Sequence, residues 1–258
     1  MSTNYRFSYW EQTSLLARPD VCIIGAGFTG LQTALAIKKD RPQTKVMVLE
    51  RGTFSRGAST RNAGFACFGS PTELLEDLEN GTAADVWRTV ERRYLGIKKL
   101  EAEFGDNINY RNHGGYEVFS DATVFGDTAA RLNELNPDLK EITGKADVWH
   151  HVDGTPGLNP DFKLLCNRLE GQLHPGLLVE ALEQKCHAAG IKLRYGVTVQ
   201  AIEENDREVK IVLAEGGQFL ADQVVITTNA FTRDLLPEAA VVPARNQVLI
   251  TQPIPGLQ

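Results

Sequence analysis

The sequence is poor in cysteine: four in 258 residues, at positions 22, 67, 166 and 186. No C-x-x-C pair is present. That spacing excludes a dithiol redox motif or cysteine zinc knuckle and argues against a disulfide framework, so a reducing cytoplasm is the expected compartment. Histidine is scarce too, with five residues and no H-E-x-x-H pairing. His150 and His151 would face opposite ways on a strand, and no metal site is expected. No apolar run approaches the ~20 residues that a transmembrane helix needs. The first twenty residues lack the apolar stretch of a signal peptide. Positive charge is in deficit, with 27 Lys+Arg against 33 Asp+Glu and a net charge of -6. A phosphate-coating surface is thereby excluded, and nucleic acid is not an expected partner. A local basic pocket for an acidic small molecule stays open. No internal repeat or low-complexity segment is present.

What is there is an ordinary globular composition, 42% hydrophobic, at a length that suits one large domain or two of common size. Residues 20–50 carry the most informative pattern. Val21 to Ile24 is a short β-branched run read as a buried strand, followed at once by Gly25-Ala26-Gly27-Phe28-Thr29-Gly30. Leu31, Ala34, Leu35 and Ile37 then recur at helical spacing, Arg41-Pro42 ends the helix, and Lys45 to Leu49 is a second strand closed by Glu50. This is a βαβ unit carrying G-x-G-x-x-G with an acid twenty residues beyond the last glycine. Gly25 permits the tight turn, Gly27 lets a pyrophosphate approach the backbone, and Gly30 lets helix and strand pack closely. The free N–H groups of the helix start, at Phe28 and Thr29 among others, suit the phosphates. Glu50 suits the ribose hydroxyls and repels a 2′-phosphate, and Arg51 beside it joins the expected cofactor site.

The fingerprint alone does not choose between NAD and FAD. After Arg51 the chain runs through Gly57-Ala58-Ser59-Thr60-Arg61-Asn62-Ala63-Gly64, a small-residue loop rich in N–H and hydroxyl donors. Such a loop suits a cofactor larger than NAD.

Together, DVCIIGAGFTGL, LERG and GASTRNAGFA resemble the D-amino-acid oxidase, glycine oxidase and sarcosine oxidase (DAO) superfamily of FAD enzymes. The loop, with Ser8-Tyr9-Trp10 near the start, is most similar to the gamma-glutamylputrescine oxidase-like branch. The resemblance implies that Ser59, Thr60, Arg61, Asn62, Ala63 and Gly64 contact FAD. Asn62 stands about where some relatives carry a flavin-linked histidine, so that linkage is not expected. It also implies that the Val199 backbone meets the adenine and that Thr227, Thr228, Asn229 and Ala230 end against the flavin.

The implied fold class is α/β: a Rossmann-like FAD-binding domain of the glutathione-reductase type with an interleaved, incomplete α+β substrate domain. The expected division is an FAD-binding domain over 1–104 and 161–240, with a partial substrate-binding domain over 105–160 and 241–258. Helices are expected from Pro71 to about residue 104 with a break near Asn80-Gly81, from Asp127 to Ile142, and across LLVEALEQKCHAAG to Gly190. Strands are expected at 110–120, 146–152, 191–195, 197–202, 208–214, 219–228 and 243–250. Cys67 is read as a small buried packing residue, Trp149 as sheet packing, and Arg245 equally as a surface charge or an active-site group.

The family's third FAD segment, a further Gly-rich turn, is missing before Gln258, so the chain reads as a fragment of a longer oxidoreductase. On that reading it supplies the AMP half of the FAD site, binds FAD weakly or not at all, shows no turnover, and exposes apolar surface that favours association, with a homo-oligomer open. The expected activity is oxidation of a C–N bond in an amine or amino-acid substrate, with no residue singled out as catalytic. The alternatives are a hydroxy-acid or polyol-phosphate dehydrogenase on the same fold and a catalytically silent FAD-binding remnant.

Overall fold

A computed structural model describes residues 7–153, 159, 161–245 and 247–252. Its regular elements, in chain order, are β1 (Val21–Ile24), α1 (Phe28–Asp40), β2 (Val46–Glu50), β3 (Phe65–Ala66), α2 (Pro71–Asn80), α3 (Ala83–Phe104), β4 (Gly115–Phe119), α4 (Ala122–Ala130), α5 (Leu132–Thr143), β5 (Trp149–Val152), β6 (Lys163–Asn167), β7 (Gly171–Gln172), α6 (Pro175–Ala188), β8 (Lys192–Tyr195), β9 (Val199–Glu204), β10 (Val209–Leu213), β11 (Gln218–Ala221) and β12 (Gln223–Ile226), with short 3-10 or π turns between some of them. The chain forms two compact units, one of residues 1–62 and 175–248, the other of 63–174 and 249–258.

In the first unit a parallel sheet runs in the order β12-β1-β2-β8. Every residue of β1 and β2 is buried, because both faces of a parallel sheet are covered. One face carries α1 and α6, which contribute Leu31, Ala34, Leu178, Val179 and Leu182. On the other, Cys22, Met47 and Leu49 pack against Ile211, Leu213, Phe219 and Ala221. Those last four come from the antiparallel meander β11-β10-β9. The result is three layers, helix, parallel sheet and meander, of the mixed α/β class. The run 219–228, read from sequence as a single strand, is two. β11 pairs antiparallel with β10 and β12 pairs parallel with β1, so the chain changes layer at Asp222. Asp222 is held there by Arg18, at 2.6 Å.

The second unit is built on an antiparallel sheet in the order β4-β6-β5. Its helices start on local caps. Ser70 accepts the Glu73 N–H before Pro71 at the first helical position. Thr82 accepts that of Asp85, and Asp121 accepts those of Thr123 and Val124. Each such side chain satisfies a donor that the helix cannot. The single helix expected over 127–142 is instead α4 and α5. Arg131 leaves helical geometry, with ψ of 3°, and beyond it Leu135 and Leu139 are fully buried. The central strand β6 has no counterpart in the sequence expectations, and the strand expected at 243–250 does not form among the described residues. Val248, Leu249 and Ile250 are exposed there. Cys67 is exposed rather than buried. Trp149 is fully buried, with its indole N–H on the Gly69 carbonyl at 3.1 Å. Arg245 is exposed.

Candidate cofactor site

At the carboxyl end of β1 the chain turns through Gly25 with φ of +107°, a conformation that a Cβ disfavours. The turn is tied down from three sides. Gly25 N–H donates to the Leu49 carbonyl at 2.8 Å. Thr227 Oγ lies 2.9 and 3.0 Å from the Ile24 and Gly25 carbonyl oxygens. A Cβ on Gly25 would stand 2.8 Å from the Thr227 carbonyl oxygen. Gly27 is the N-cap of α1, and a Cβ there would meet Ser59 Oγ at 2.8 Å. That hydroxyl accepts the Phe28 N–H at 2.9 Å. α1 has no acid in its first turn and Lys38 and Lys39 in its last. The positive end of the helix dipole therefore faces the glycine loop, where the Glu50 carboxylate meets the Ala26 N–H.

Glu50, at the end of β2, is buried. Its carboxylate accepts the Ala26 N–H at 3.1 Å and the Gly52 N–H at 2.8 Å. Each oxygen keeps a lone pair for a further donor. Beside it the Arg51 guanidinium lies over the Phe231 ring, 3.9 Å from its centroid, and 4.0 Å from the Asp234 carboxylate. Asn229 adopts a left-handed backbone with φ of 49°, which asparagine tolerates better than most residues.

These groups line one cleft of about 210 Å³ at the carboxyl ends of β1 and β2, within the first unit. It gathers Gly25, Gly27, Glu50, Arg51, Ser59, Val199, Thr227, Thr228, Asn229 and Ala230. Other residues named from the sequence do not line it. Gly30 packs against the Gly25 carbonyl beneath the loop. Phe28 presents its N–H to Ser59, and Thr29 follows in the first turn of α1. Thr60 Oγ bonds the Ser55 carbonyl. The Asn62 amide bonds the carbonyls of Ala58 and Ser59. Arg61 and Ala63 are exposed, while Gly64 is buried and accepts the Leu173 N–H.

The cleft also includes Arg56, Val197, Thr198, Phe231, Asp234 and Leu235, which the sequence reading did not assign to the site. Phe231 and Asp234 follow closely on Thr228 to Ala230, yet nothing in the sequence separates them from a surface turn.

The carboxyl end of a parallel sheet, at a glycine turn opening a helix, is where folds of this class hold a dinucleotide. A profile of the family described as "FAD dependent oxidoreductase", DAO, matches residues 20–258. The chain belongs to the DAO family of FAD-dependent oxidoreductases.

FAD is the cofactor of that family, and the residues present fit it. The Gly27 backbone and the positive end of α1 border the cleft, and a buried carboxylate faces it. The bifunctional protein ThiO/ThiG of Synechocystis is 28% identical over 242 residues, spanning 89% of this chain and 32% of its own length. A D-amino acid dehydrogenase of Neisseria meningitidis is 24% identical, spanning 84% of this chain and 62% of its own. The fold is that of glycine oxidase from Bacillus cereus, with a TM-score of 0.63 at 19% identity over 85% of this chain and 58% of that one. The chain thus spans less than two thirds of the length of these curated relatives. Among the described residues no helix is long and apolar enough to cross a membrane, and no three His, Cys, Asp or Glu are grouped to hold a metal ion.

Proposed function

We propose that the chain binds FAD through the cleft of its first unit and serves an oxidoreductase that acts on a C–N bond of an amine or amino acid. The observation that carries the cofactor half is the meeting of Gly25, Gly27, Glu50 and Ser59 in one cleft. The Gly27 N–H and the α1 dipole hold phosphate oxygens, with Ser59, which takes the Phe28 N–H, beside them. Glu50 accepts the ribose hydroxyls, and Arg51 on Phe231 forms a wall beside them. Val199 presents backbone to the adenine. Sites that enclose a drug-sized ligand measure ~300–1,000 Å³, so a cleft of about 210 Å³ suits the adenosine diphosphate half rather than the whole cofactor.

The substrate class is supported by the relatives, named a D-amino acid dehydrogenase and a glycine oxidase. When bound, FAD supplies the two-electron acceptor: the carbon beside the nitrogen gives up hydride, and water hydrolyses the resulting imine.

The test is a titration of the purified chain with FAD and with NAD, by calorimetry and flavin fluorescence. The whole gene product is then mixed anaerobically with D- and L-amino acids, N-methyl amino acids and hydroxy acids while flavin absorbance is followed. FAD binding and bleaching by a nitrogen substrate are expected. Tight NAD binding without FAD binding overturns the cofactor reading, and bleaching by hydroxy acids alone overturns the C–N reading.

A further inference from the structure

The peptide groups of Ala26 are gripped from two sides. Its N–H donates to Glu50, and its carbonyl accepts from Ser55 Oγ at 2.7 Å. A trans peptide directs its C=O and the following N–H in opposite directions, and no cis bond occurs among the described residues. Ser55 is buried, 2% exposed. Turning the Ala26 carbonyl inward to Ser55 therefore turns the Gly27 N–H the other way, and Gly27 lines the cleft. The direction of one hydroxyl proton on Ser55 thus bears on a donor at the diphosphate end of the site.

That proton has more than one acceptor within reach, and the Tyr195 hydroxyl also stands within hydrogen-bonding reach of Ser55. Besides the Ala26 carbonyl, Glu183 Oε1 on α6 lies 3.0 Å from Ser55 Oγ. A carboxylate is the stronger acceptor, and a hydroxyl carries a single proton. Left alone with Ser55, Glu183 would draw the proton from Ala26. Tyr195, the last residue of β8, weakens this competition: its hydroxyl donates to the same Glu183 Oε1 at 2.5 Å and takes up one of its lone pairs. Burial first, and then the hydrogen bond to Glu183, raise the Tyr195 phenol well above its ordinary pKa, so it stays a donor throughout the working pH range.

We propose that Tyr195 is a positioning residue for the diphosphate-binding loop: by donating to Glu183 it leaves the Ser55 proton to the Ala26 carbonyl, which holds the Gly27 N–H toward the cleft. The proposal rests on the FAD reading above. It makes an unusual demand, that removing the competing carboxylate repairs the loss of the tyrosine hydroxyl.

The experiment uses the 258-residue chain as wild type, Tyr195→Phe, Glu183→Ala, the double variant and Ser55→Ala. For each, the FAD dissociation constant is measured by quenching of flavin fluorescence. Amide hydrogen exchange over residues 25–30 is measured without ligand, and the melting temperature is recorded. Loss of one hydrogen bond at the loop predicts a Tyr195→Phe affinity about five-fold weaker, with faster exchange at the loop. Glu183→Ala alone, and in the Tyr195→Phe background, should return both to within about two-fold of wild type. Ser55→Ala should be weakened about as much as Tyr195→Phe, and adding Glu183→Ala to it should restore nothing.

Wild-type affinity in Tyr195→Phe overturns the proposal. So does a Tyr195→Phe defect that the double variant keeps, because that marks lost packing. If wild type binds no FAD, yet loop exchange rises in Tyr195→Phe and recovers in the double variant, the positioning role stands and the cofactor reading falls. If exchange does not respond either, the positioning role falls as well.

Discussion

A Cβ placed on Gly30 would stand 1.9 Å from the carbonyl oxygen of Gly25. The obstacle is backbone, so neither partner can rotate away. The two glycines fix how closely the first turn of α1 rests on the end of β1, and that approach sets the floor of the cleft. Gly30→Ala must push the helix outward and should cost about 1–3 kcal/mol or more, the range of severe overpacking. FAD binding should be lost with it. Thermal melting and flavin titration check this, and a Gly30→Ala variant that melts and binds like wild type would show that the helix can shift freely.

Two glycines inside helices predict the opposite sign. Gly96 in α3 and Gly126 in α4 have open space where a Cβ would stand. Alanine there removes unfolded-state freedom at no steric cost and should stabilise by about 0.4–1 kcal/mol each. On a chain of this size that is a rise in Tm of roughly 1–4 °C. A fall on calorimetry would mean that the helix needs the glycine for close packing.

Glu50 offers its buried carboxylate to Ala26 and Gly52 and faces the cleft. A charge-assisted hydrogen bond to a ribose hydroxyl contributes about 1.5–3 kcal/mol. Glu50→Gln should therefore weaken FAD by about ten-fold or more in calorimetry. An unchanged dissociation constant removes Glu50 from the site.

Glu170 is a second buried carboxylate, in the other unit, and accepts the Phe68 N–H at 2.9 Å. Burial raises its pKa to about 7, Glu73 and Glu117 push the same way, and N–H groups of Phe68 and Gly69 oppose the shift. The folded chain thus holds a proton that the unfolded chain releases near pH 4.5. Stability falls as pH rises between those two values and is level above the upper one. The full cost is on the order of 3 kcal/mol. Glu170→Gln carries no such proton, so wild type should lose stability relative to the variant as pH rises from 4.5 to about 7 in denaturant titrations. Parallel curves would show that Glu170 titrates normally.

Trp149 is fully buried and its indole N–H holds the Gly69 carbonyl. Trp149→Phe leaves that carbonyl without its donor and opens space beside it, at a cost of about 1–3 kcal/mol for the unmet polar group. A drop in Tm of several degrees is the expected readout, and a neutral substitution would mean that water replaces the indole.

Much of this was legible in the chain. The βαβ unit could be read because strand, glycines, helix and acid are contiguous, so local sterics and periodicity carry the signal. The break between α2 and α3 is written as Asn80-Gly81-Thr82, with a capping threonine. Other features depend on partners distant in sequence. The run 219–228 has uniform strand character, and only pairing with β10 on one side and β1 on the other divides it at Asp222. Residues 243–250 have the composition of a strand, yet no strand forms there among the described residues, because composition does not supply the neighbouring ladder that a strand needs.

The sequence by itself determined that this chain makes a dinucleotide-type turn and places an acid at the end of the next strand, because both follow from backbone sterics within one short contiguous stretch. Only the tertiary structure decided which groups share the cleft. It brings Ser59, Val199 and Thr227 to Gly27 and Glu50, adds Phe231 and Asp234, and leaves Arg61 exposed. It also set Ser55, Glu183 and Tyr195 around one proton. Those three lie on a loop, a helix and a strand, and Ser55 is far in sequence from the other two. Hydrogen-bond competition among them exists only once packing has brought them within 3.0 Å.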